Sequence, residues 1–257
     1  MDLYKEILDY SKNNNQLLLK DIGYTYRNFY IDTQKIYNKL KKIIKQKEVI
    51  ALSAGYSKEF ICFLFAAYKN KNIVTLINPT AAINEKKYII KNSLASLVIM
   101  DNDNYFKEIK KKNFFGHYFF KTGRKNKYLN KNDRFIIFTS GTTGKPKGVI
   151  ITNKNLYSNI SGISRQINFK KGTHTSIIFS PPSYAMAISQ ILTYMKNKIN
   201  FIFIPSGIKF PRLIVQNIIK YKVNFLNISI SALRILSPLL KQNKKYFNKI
   251  KHVMAGG

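Results

Sequence analysis

The sequence is short of acidic side chains, and it has none at all beyond residue 133. Of its 257 residues, 44 are lysine or arginine and 12 are aspartate or glutamate, which gives a formal net charge of +32. All twelve acids lie between Asp2 and Asp133. Carboxylates are the side chains that Mg²⁺ prefers, so the later part of the chain offers no such ligand. The excess of positive charge favours anionic partners.

Cysteine and long apolar segments are also scarce. Cys62 is the single cysteine, which excludes a disulfide within the chain, and its apolar surroundings predict a buried thiol. The first residues lack the apolar core of a signal peptide. The uncharged stretch from Gly172 to Met195 contains Pro181 and Pro182, which argues against a membrane span. We therefore predict a cytoplasmic protein without a membrane span.

The positive charge raises the question of a nucleic-acid partner. A nucleic-acid-binding protein concentrates its basic residues on one face, helix or tail. Here the lysines are spread along the whole chain, which indicates a compositional drift rather than a binding surface. We predict no specific nucleic-acid partner. The alternative would require the lysines to gather on one face of the fold.

Strand-like and helix-like patterns alternate along the chain. Short apolar runs such as Val49–Leu52 and Leu97–Met100 predict buried strands, and the spacing of apolar residues over Arg27–Ile44 predicts a helix. This alternation predicts an α/β fold with mostly parallel sheets and helices on both faces. The other predicted strands are 73–77, 118–120, 135–138, 176–179, 201–204, 223–228 and 250–254. The other predicted helices are 3–12, 60–68, 84–91, 105–111, 156–167, 186–195, 211–221 and 231–240, and a hairpin is predicted over 16–26.

The most informative stretch is the loop after the apolar run Phe135–Phe138. It contains three glycines, four hydroxyls, two lysines and no acid. Glycine lets backbone N–H groups converge on an anion, and hydroxyls and lysines donate to phosphate oxygens. We predict a phosphate-binding loop, with a solvated turn between two strands as the alternative. It is not a Walker loop, because Gly141 and Gly144 are too close and Pro146 follows Lys145. The loop reads Thr139-Ser140-Gly141-Thr142-Thr143-Gly144-Lys145-Pro146-Lys147-Gly148.

The stretch from Phe138 to Gly148 resembles the signature loop of the AMP-forming acyl-adenylating superfamily. That group includes acyl-CoA synthetases, luciferase and the adenylation domains of peptide synthetases. Four further segments are similar to its large N-terminal domain, and the resemblance covers essentially the whole chain. They are Tyr24–Arg27, Lys69–Pro79, Ser180–Ser189 and Val253–Gly257. The chain departs from the family pattern at Asn70–Asn72 and at Asn153.

The resemblance implies a fold and an activity. The implied fold is the layered N-terminal domain of adenylating enzymes, incomplete at its C-terminus, with residues 1–257 forming the N-terminal part of the AMP-binding domain. The implied activity is the attack of a carboxylic acid on ATP to give acyl-AMP, followed by transfer to CoA or to a phosphopantetheinyl carrier thiol. The implied nucleotide-binding residues are Thr139, Ser140, Gly141, Thr142, Thr143, Gly144, Lys145, Lys147, Gly148, Gly256 and Gly257. The implied acyl pocket contains Tyr184, Met186 and Ser189; a core tyrosine is the alternative for Tyr184.

The resemblance also implies parts that these residues do not contain. Mg²⁺ accompanies ATP, but the superfamily's metal-binding acid and catalytic lysine follow the position that Gly257 matches. We therefore assign no catalytic and no metal-binding residue within the chain, and we expect the small C-terminal domain to be absent. The expectation is a fragment that is inactive alone, which a complementing C-terminal polypeptide could complete. The alternative is a truncated, non-catalytic remnant that binds a nucleotide or a partner.

Overall fold

The computed structural model describes residues 2–101, 112–125, 130, 132–139, 146–167, 174–243, 246 and 248–256. The helices are α1 (Leu3–Ser11), α2 (Tyr26–Ile43), α3 (Lys58–Lys69), α4 (Ile83–Asn92), α5 (Asn153–Gln166), α6 (Ala185–Lys196), α7 (Pro211–Lys220) and α8 (Ile230–Lys241). The strands are β1 (Leu17–Leu19), β2 (Tyr24–Thr25), β3 (Val49–Ser53), β4 (Ile73–Leu76), β5 (Leu97–Met100), β6 (Lys112–Phe114), β7 (His117–Lys121), β8 (Asp133–Thr139), β9 (Lys147–Thr152), β10 (Thr175–Ile178), β11 (Asn200–Phe203), β12 (Phe225–Ser229) and β13 (His252–Gly256).

The apolar patterns account for most of these elements. Helix α2 buries Phe29, Ile36 and Leu40 on one face, with the intervening lysines exposed. Strands β3, β4 and β5 are buried along their whole length, as expected of strands covered on both faces. Ser57 precedes helix α3 as its N-cap, and its hydroxyl accepts the Phe60 N–H at 3.1 Å.

The chain divides into two compact units. The first comprises Met1–Lys5, Phe29–Ser158 and Pro182–Ala185. Its seven-stranded sheet has the order β6-β7-β5-β3-β4-β8-β9. The central strands β5, β3, β4 and β8 are parallel, whereas β7, β6 and β9 add antiparallel strands at the two sides. One core cluster runs from Val49 and Ile73 to Ile136.

The second unit comprises Glu6–Asn28, Asn159–Pro181 and Met186–Gly257. A four-stranded sheet has the order β10-β11-β1-β2, with only the β1–β2 hairpin antiparallel, and β12 pairs with β13 in parallel. The Asn224 N–H donates to the Thr175 carbonyl at 3.0 Å, which joins the start of β12 to β10. The core lies between these strands and helices α7 and α8, with Ile177, Ile214 and Leu226 fully buried.

The α/β prediction is confirmed, and most strand pairings are parallel. Two strands were missed by the sequence reasoning. Strand β6 is short and polar at its start, and β9 begins inside the stretch that was interpreted as a loop. The predicted helix over 105–111 lies outside the described residues.

Candidate nucleotide site

A β-hairpin carries the predicted phosphate loop. Strand β8 ends at Thr139, strand β9 begins at Lys147, and these two residues are paired across the hairpin. The loop therefore leaves and re-enters the sheet at one point. Six predicted loop residues lie outside the described residues: Ser140, Gly141, Thr142, Thr143, Gly144 and Lys145.

The parallel strands determine the edge of the sheet at which this loop lies. Strand β8 runs parallel to β4, with Val74 opposite Phe135 and Thr75 opposite Ile136. The buried Thr75 hydroxyl also donates to the Ile136 carbonyl at 2.9 Å, which adds a side-chain bond to the ladder. The loop follows the carboxyl end of β8, and ligands of open α/β sheets bind at that edge. The position is thus suited to a phosphate site.

Gly148 lies in a strand, and its neighbours there account for the missing side chain. We expected it to let the loop close over phosphates, but it lies within β9, directly opposite Phe138. A Cβ atom at Gly148 would lie 3.0 Å from Ile136 Cγ2 and 3.2 Å from Phe138 Cζ. Glycine suits this packing, because a Cβ atom would be in tight contact with these two side chains.

Tyr88, from helix α4, reaches the same end of the hairpin. Its hydroxyl donates to the Pro146 carbonyl at 3.2 Å, and its ring lies edge-on to the Phe138 ring with centroids 6.4 Å apart. The sequence reasoning missed this residue. Tyr88 precedes Pro146 by 58 residues, and in the sequence it is one more aromatic residue on a helix face.

The predicted acyl-pocket residues surround the start of helix α6. Tyr184 precedes the helix and is 57% exposed, so the alternative of a core tyrosine is wrong. Met186 and Ser189 are half-buried and lie three residues apart, hence on one side of the helix. The Ser189 hydroxyl donates to Asn159 Oδ1 at 2.7 Å. Tyr184 belongs to the first unit, and Met186 and Ser189 to the second.

A buried glutamine on α6 fixes the neighbouring segments of the second unit. Gln190 is 2% exposed, its Nε2 donates to the Asn227 carbonyl in β12, and its Oε1 accepts the Ser180 hydroxyl at 2.7 Å. The network joins the residues after β10 to β12. The sequence reasoning missed Gln190, although a glutamine within the apolar run of α6 is a signal for such a buried polar contact.

Gly256 lies at the carboxyl end of β13, opposite Ser229 of β12. A Cβ atom there would contact nothing within 4 Å among the described residues, so packing does not require glycine at this position. Gly257 lies outside the described residues.

The described side chains do not form a site that fits Mg²⁺. Among the described residues, no group of three His, Cys, Asp or Glu side chains is placed to hold a metal ion. Asp133, the last acid of the sequence, begins β8 and accepts the Asn130 N–H at 2.7 Å. Thr139 lies six residues further along the strand, so Asp133 is about 20 Å from the loop. This carboxylate belongs to the opposite edge of the sheet.

No helix within the part of the chain that the structure describes is long and apolar enough to cross a membrane. The uncharged stretch 172–195 contains β10, a turn and most of α6.

Comparisons with known proteins identify the family. The inhibitor-bound N-terminal domain of FACL13 from Mycobacterium tuberculosis has a similar structure, with a TM-score of 0.81 and a sequence identity of 16%. The match covers 100% of this chain and 70% of that chain. O-succinylbenzoate Coenzyme A synthetase from Bacillus subtilis, in complex with AMP, is 14% identical, with a TM-score of 0.75 over 98% of this chain and 67% of that chain. At these identities the likeness shows a shared fold.

The sequence relatives are much longer proteins, and this chain matches only a part of each. Bacitracin synthase 2 from Bacillus licheniformis is 21% identical over 264 aligned residues, which cover 99% of this chain and 10% of that protein. The chain spans a tenth or less of the first curated relatives that it matches. Residues 10–257 match the family of AMP-binding enzymes. This match includes the hairpin that carries the Gly/Thr/Lys loop. The chain therefore belongs to the AMP-binding enzyme family.

Proposed function

We propose that this chain is the N-terminal part of an AMP-forming acid–thiol ligase and that the Gly/Thr/Lys loop holds the phosphates of ATP. One observation carries the proposal: the loop lies between the paired Thr139 and Lys147, at the carboxyl edge of β8. In an α/β sheet this is the edge at which ligands bind. Family membership supports the nucleotide as that ligand.

The chemistry begins with a carboxylate oxygen of the acid, which attacks the α-phosphorus of ATP. A new P–O bond forms, the bond to the β-phosphate oxygen breaks, and acyl-AMP and pyrophosphate result. A thiol then attacks the acyl carbon and releases AMP. Phosphoryl transfer of this kind depends on positioning and on charge stabilisation. The hydroxyls of Thr139, Ser140, Thr142 and Thr143 and the ammonium groups of Lys145 and Lys147 would hold the departing pyrophosphate.

The remaining predicted residues would contact the other parts of the substrates. Gly256 and Gly257 would lie beside the adenosine and acyl groups, where a strand end without side chains leaves room. Tyr184, Met186 and Ser189 would line the acyl pocket, and their sizes suit an aromatic or modest aliphatic acid. The acceptor would be CoA or a phosphopantetheinyl carrier, because the relatives include both a Coenzyme A synthetase and a nonribosomal peptide synthetase.

Mg²⁺ would require carboxylates that the described residues do not provide at the loop. We therefore assign no step of the reaction to a metal held by these residues. The shortage supports the proposal that residues 1–257 are one part of the adenylation domain, completed by downstream sequence or by a second polypeptide. It also favours the alternative, a remnant that binds a nucleotide without catalysis.

The test is ATP–pyrophosphate exchange with a panel of aromatic and aliphatic acids. It compares the 29.8 kDa chain with the native species purified from source cells by an antibody against this segment. We expect a native species about twice that mass, with acid-dependent exchange, and almost no exchange by the chain alone. A native species of the chain's own mass that shows no ATP–pyrophosphate exchange with any acid of the panel would favour the non-catalytic remnant. Ordinary exchange by the isolated chain would contradict the proposed incompleteness.

A further inference from the structure

Tyr88 contacts the stem of the phosphate loop, which we define as residues 146–148, where the loop rejoins the sheet. The side chain is half-buried on α4 and packs against the core cluster of the first unit. Its hydroxyl donates to the Pro146 carbonyl at 3.2 Å. Pro146 is the last residue before β9, so the bond fixes the backbone at the point where the loop rejoins the sheet.

The Tyr88 ring adds a second contact at the same place. It lies edge-on to Phe138, with an angle of 82° between the rings. The Phe138 ring in turn lies against Gly148, where a Cβ atom would be 3.2 Å from Cζ. Tyr88 therefore holds Pro146 by a hydrogen bond and packs on Phe138, which in turn lies against Gly148, so both neighbours of Lys147 are supported.

The stem needs such support because β9 is an edge strand. Among the described strands it pairs only with β8, and its first four residues are exposed. Pro146 has no N–H with which to extend the ladder. The Tyr88 hydroxyl instead engages the Pro146 carbonyl, so a side chain holds this residue where its nitrogen cannot. A segment held in its binding conformation loses less conformational freedom when a ligand binds, and binding is then stronger.

We propose that Tyr88 is a positioning residue for the nucleotide. It holds Pro146 in place and thereby presents Lys147 to the phosphates. The inference rests on the proposed nucleotide-binding function. It predicts that the hydroxyl of Tyr88 affects the affinity for ATP and for pyrophosphate without touching either of them.

The test uses Tyr88→Phe, which keeps the ring and removes the hydroxyl. Tyr118→Phe is the matched control, because Tyr118 is also half-buried and packs against the same core cluster. Titration calorimetry of the chain with ATP and with pyrophosphate should show a Kd raised about threefold to tenfold for Tyr88→Phe, the worth of one hydrogen bond. The Kd of Tyr118→Phe should be unchanged, and the Tm of both variants should stay near that of the wild type.

A second readout requires no nucleotide. Amide hydrogen exchange over 147–152 should be faster in Tyr88→Phe than in the wild type or in Tyr118→Phe. Unchanged Kd together with unchanged exchange would overturn the inference, and so would a loss of affinity that follows a general fall in Tm. If the wild type binds neither ATP nor pyrophosphate, the proposed function fails. Amide hydrogen exchange then decides whether Tyr88 holds Pro146 in place. Equal amide exchange in the wild type and in Tyr88→Phe would overturn that role as well.

Discussion

At the scale of single residues, local composition revealed the loop, and contacts between distant residues determined its support. The Gly/Thr/Lys run is contiguous, so its chemistry can be recognised from the sequence alone. Tyr88 and Pro146 are 58 residues apart, and no local pattern brings them together. Gly148 illustrates both kinds of information. Its place in the motif predicts a flexible loop residue, whereas its contacts with Ile136 and Phe138 account for the missing Cβ.

Two glycines provide a direct test of this packing argument. Gly148→Ala should lower the free energy of unfolding by about 1 kcal/mol, since the added Cβ meets Ile136 and Phe138 in a filled space. Gly162→Ala in α5 should raise it by about 0.5 to 1 kcal/mol, because a Cβ there meets nothing within 4 Å and alanine favours helix. Urea unfolding of the two variants measures both signs. Equal effects would contradict the specific role of Gly148.

At the scale of elements, the helix ends explain why their positions were hard to predict. Four helices are followed by a non-glycine residue with positive φ: Lys71, Leu94, Lys198 and Lys222. In each case the next N–H bonds back to a carbonyl five residues earlier, as in Val223 to Ile218 at 2.9 Å. These are Schellman ends, where glycine is the usual residue. Lysine and leucine give no such signal in the sequence.

The left-handed conformation costs a non-glycine residue about 1 to 2 kcal/mol. Lys222 is exposed, with φ of 54°, so Lys222→Gly should stabilise the second unit by about 0.5 to 1 kcal/mol after the greater entropy of unfolded glycine is included. The matched control is Lys87→Gly, an exposed lysine inside α4, which should destabilise by about 1 kcal/mol. Thermal unfolding distinguishes the two. Destabilisation by Lys222→Gly would show that the lysine side chain makes a contact worth more than the strain.

The strands illustrate the same division between local and distant information. The buried parallel strands were predicted from their apolar runs, because burial on both faces leaves a continuous signal. Strand β9 was missed because Lys147 and Gly148 are typical loop residues. Its hydrogen bonds to β8 stabilise the strand, although its composition does not favour one. The buried Gln190 network likewise depends on β12, which lies 37 residues further along the chain.

At the scale of the whole molecule, charge and family membership point to the same type of ligand. A net charge of +32, with no acid after Asp133, creates a field that attracts any polyanion. Such attraction is not a binding site. A specific site must depend on particular lysines, whereas the general field depends on all 44 basic residues about equally. This difference separates a nucleotide site from weak, non-specific binding.

The most direct measurement is therefore calorimetric titration of the chain with ATP at about 0.15 M salt, where long-range attraction is screened. The chain is compared with Lys147→Ala and with Lys154→Ala, an exposed lysine of the same charge at the start of α5. We predict weak binding to one site. Lys147→Ala should raise the Kd about tenfold, the worth of a charge-assisted hydrogen bond, and Lys154→Ala should leave it unchanged. No saturable binding, or an equal loss in both variants, would contradict the assignment of the loop as the nucleotide site.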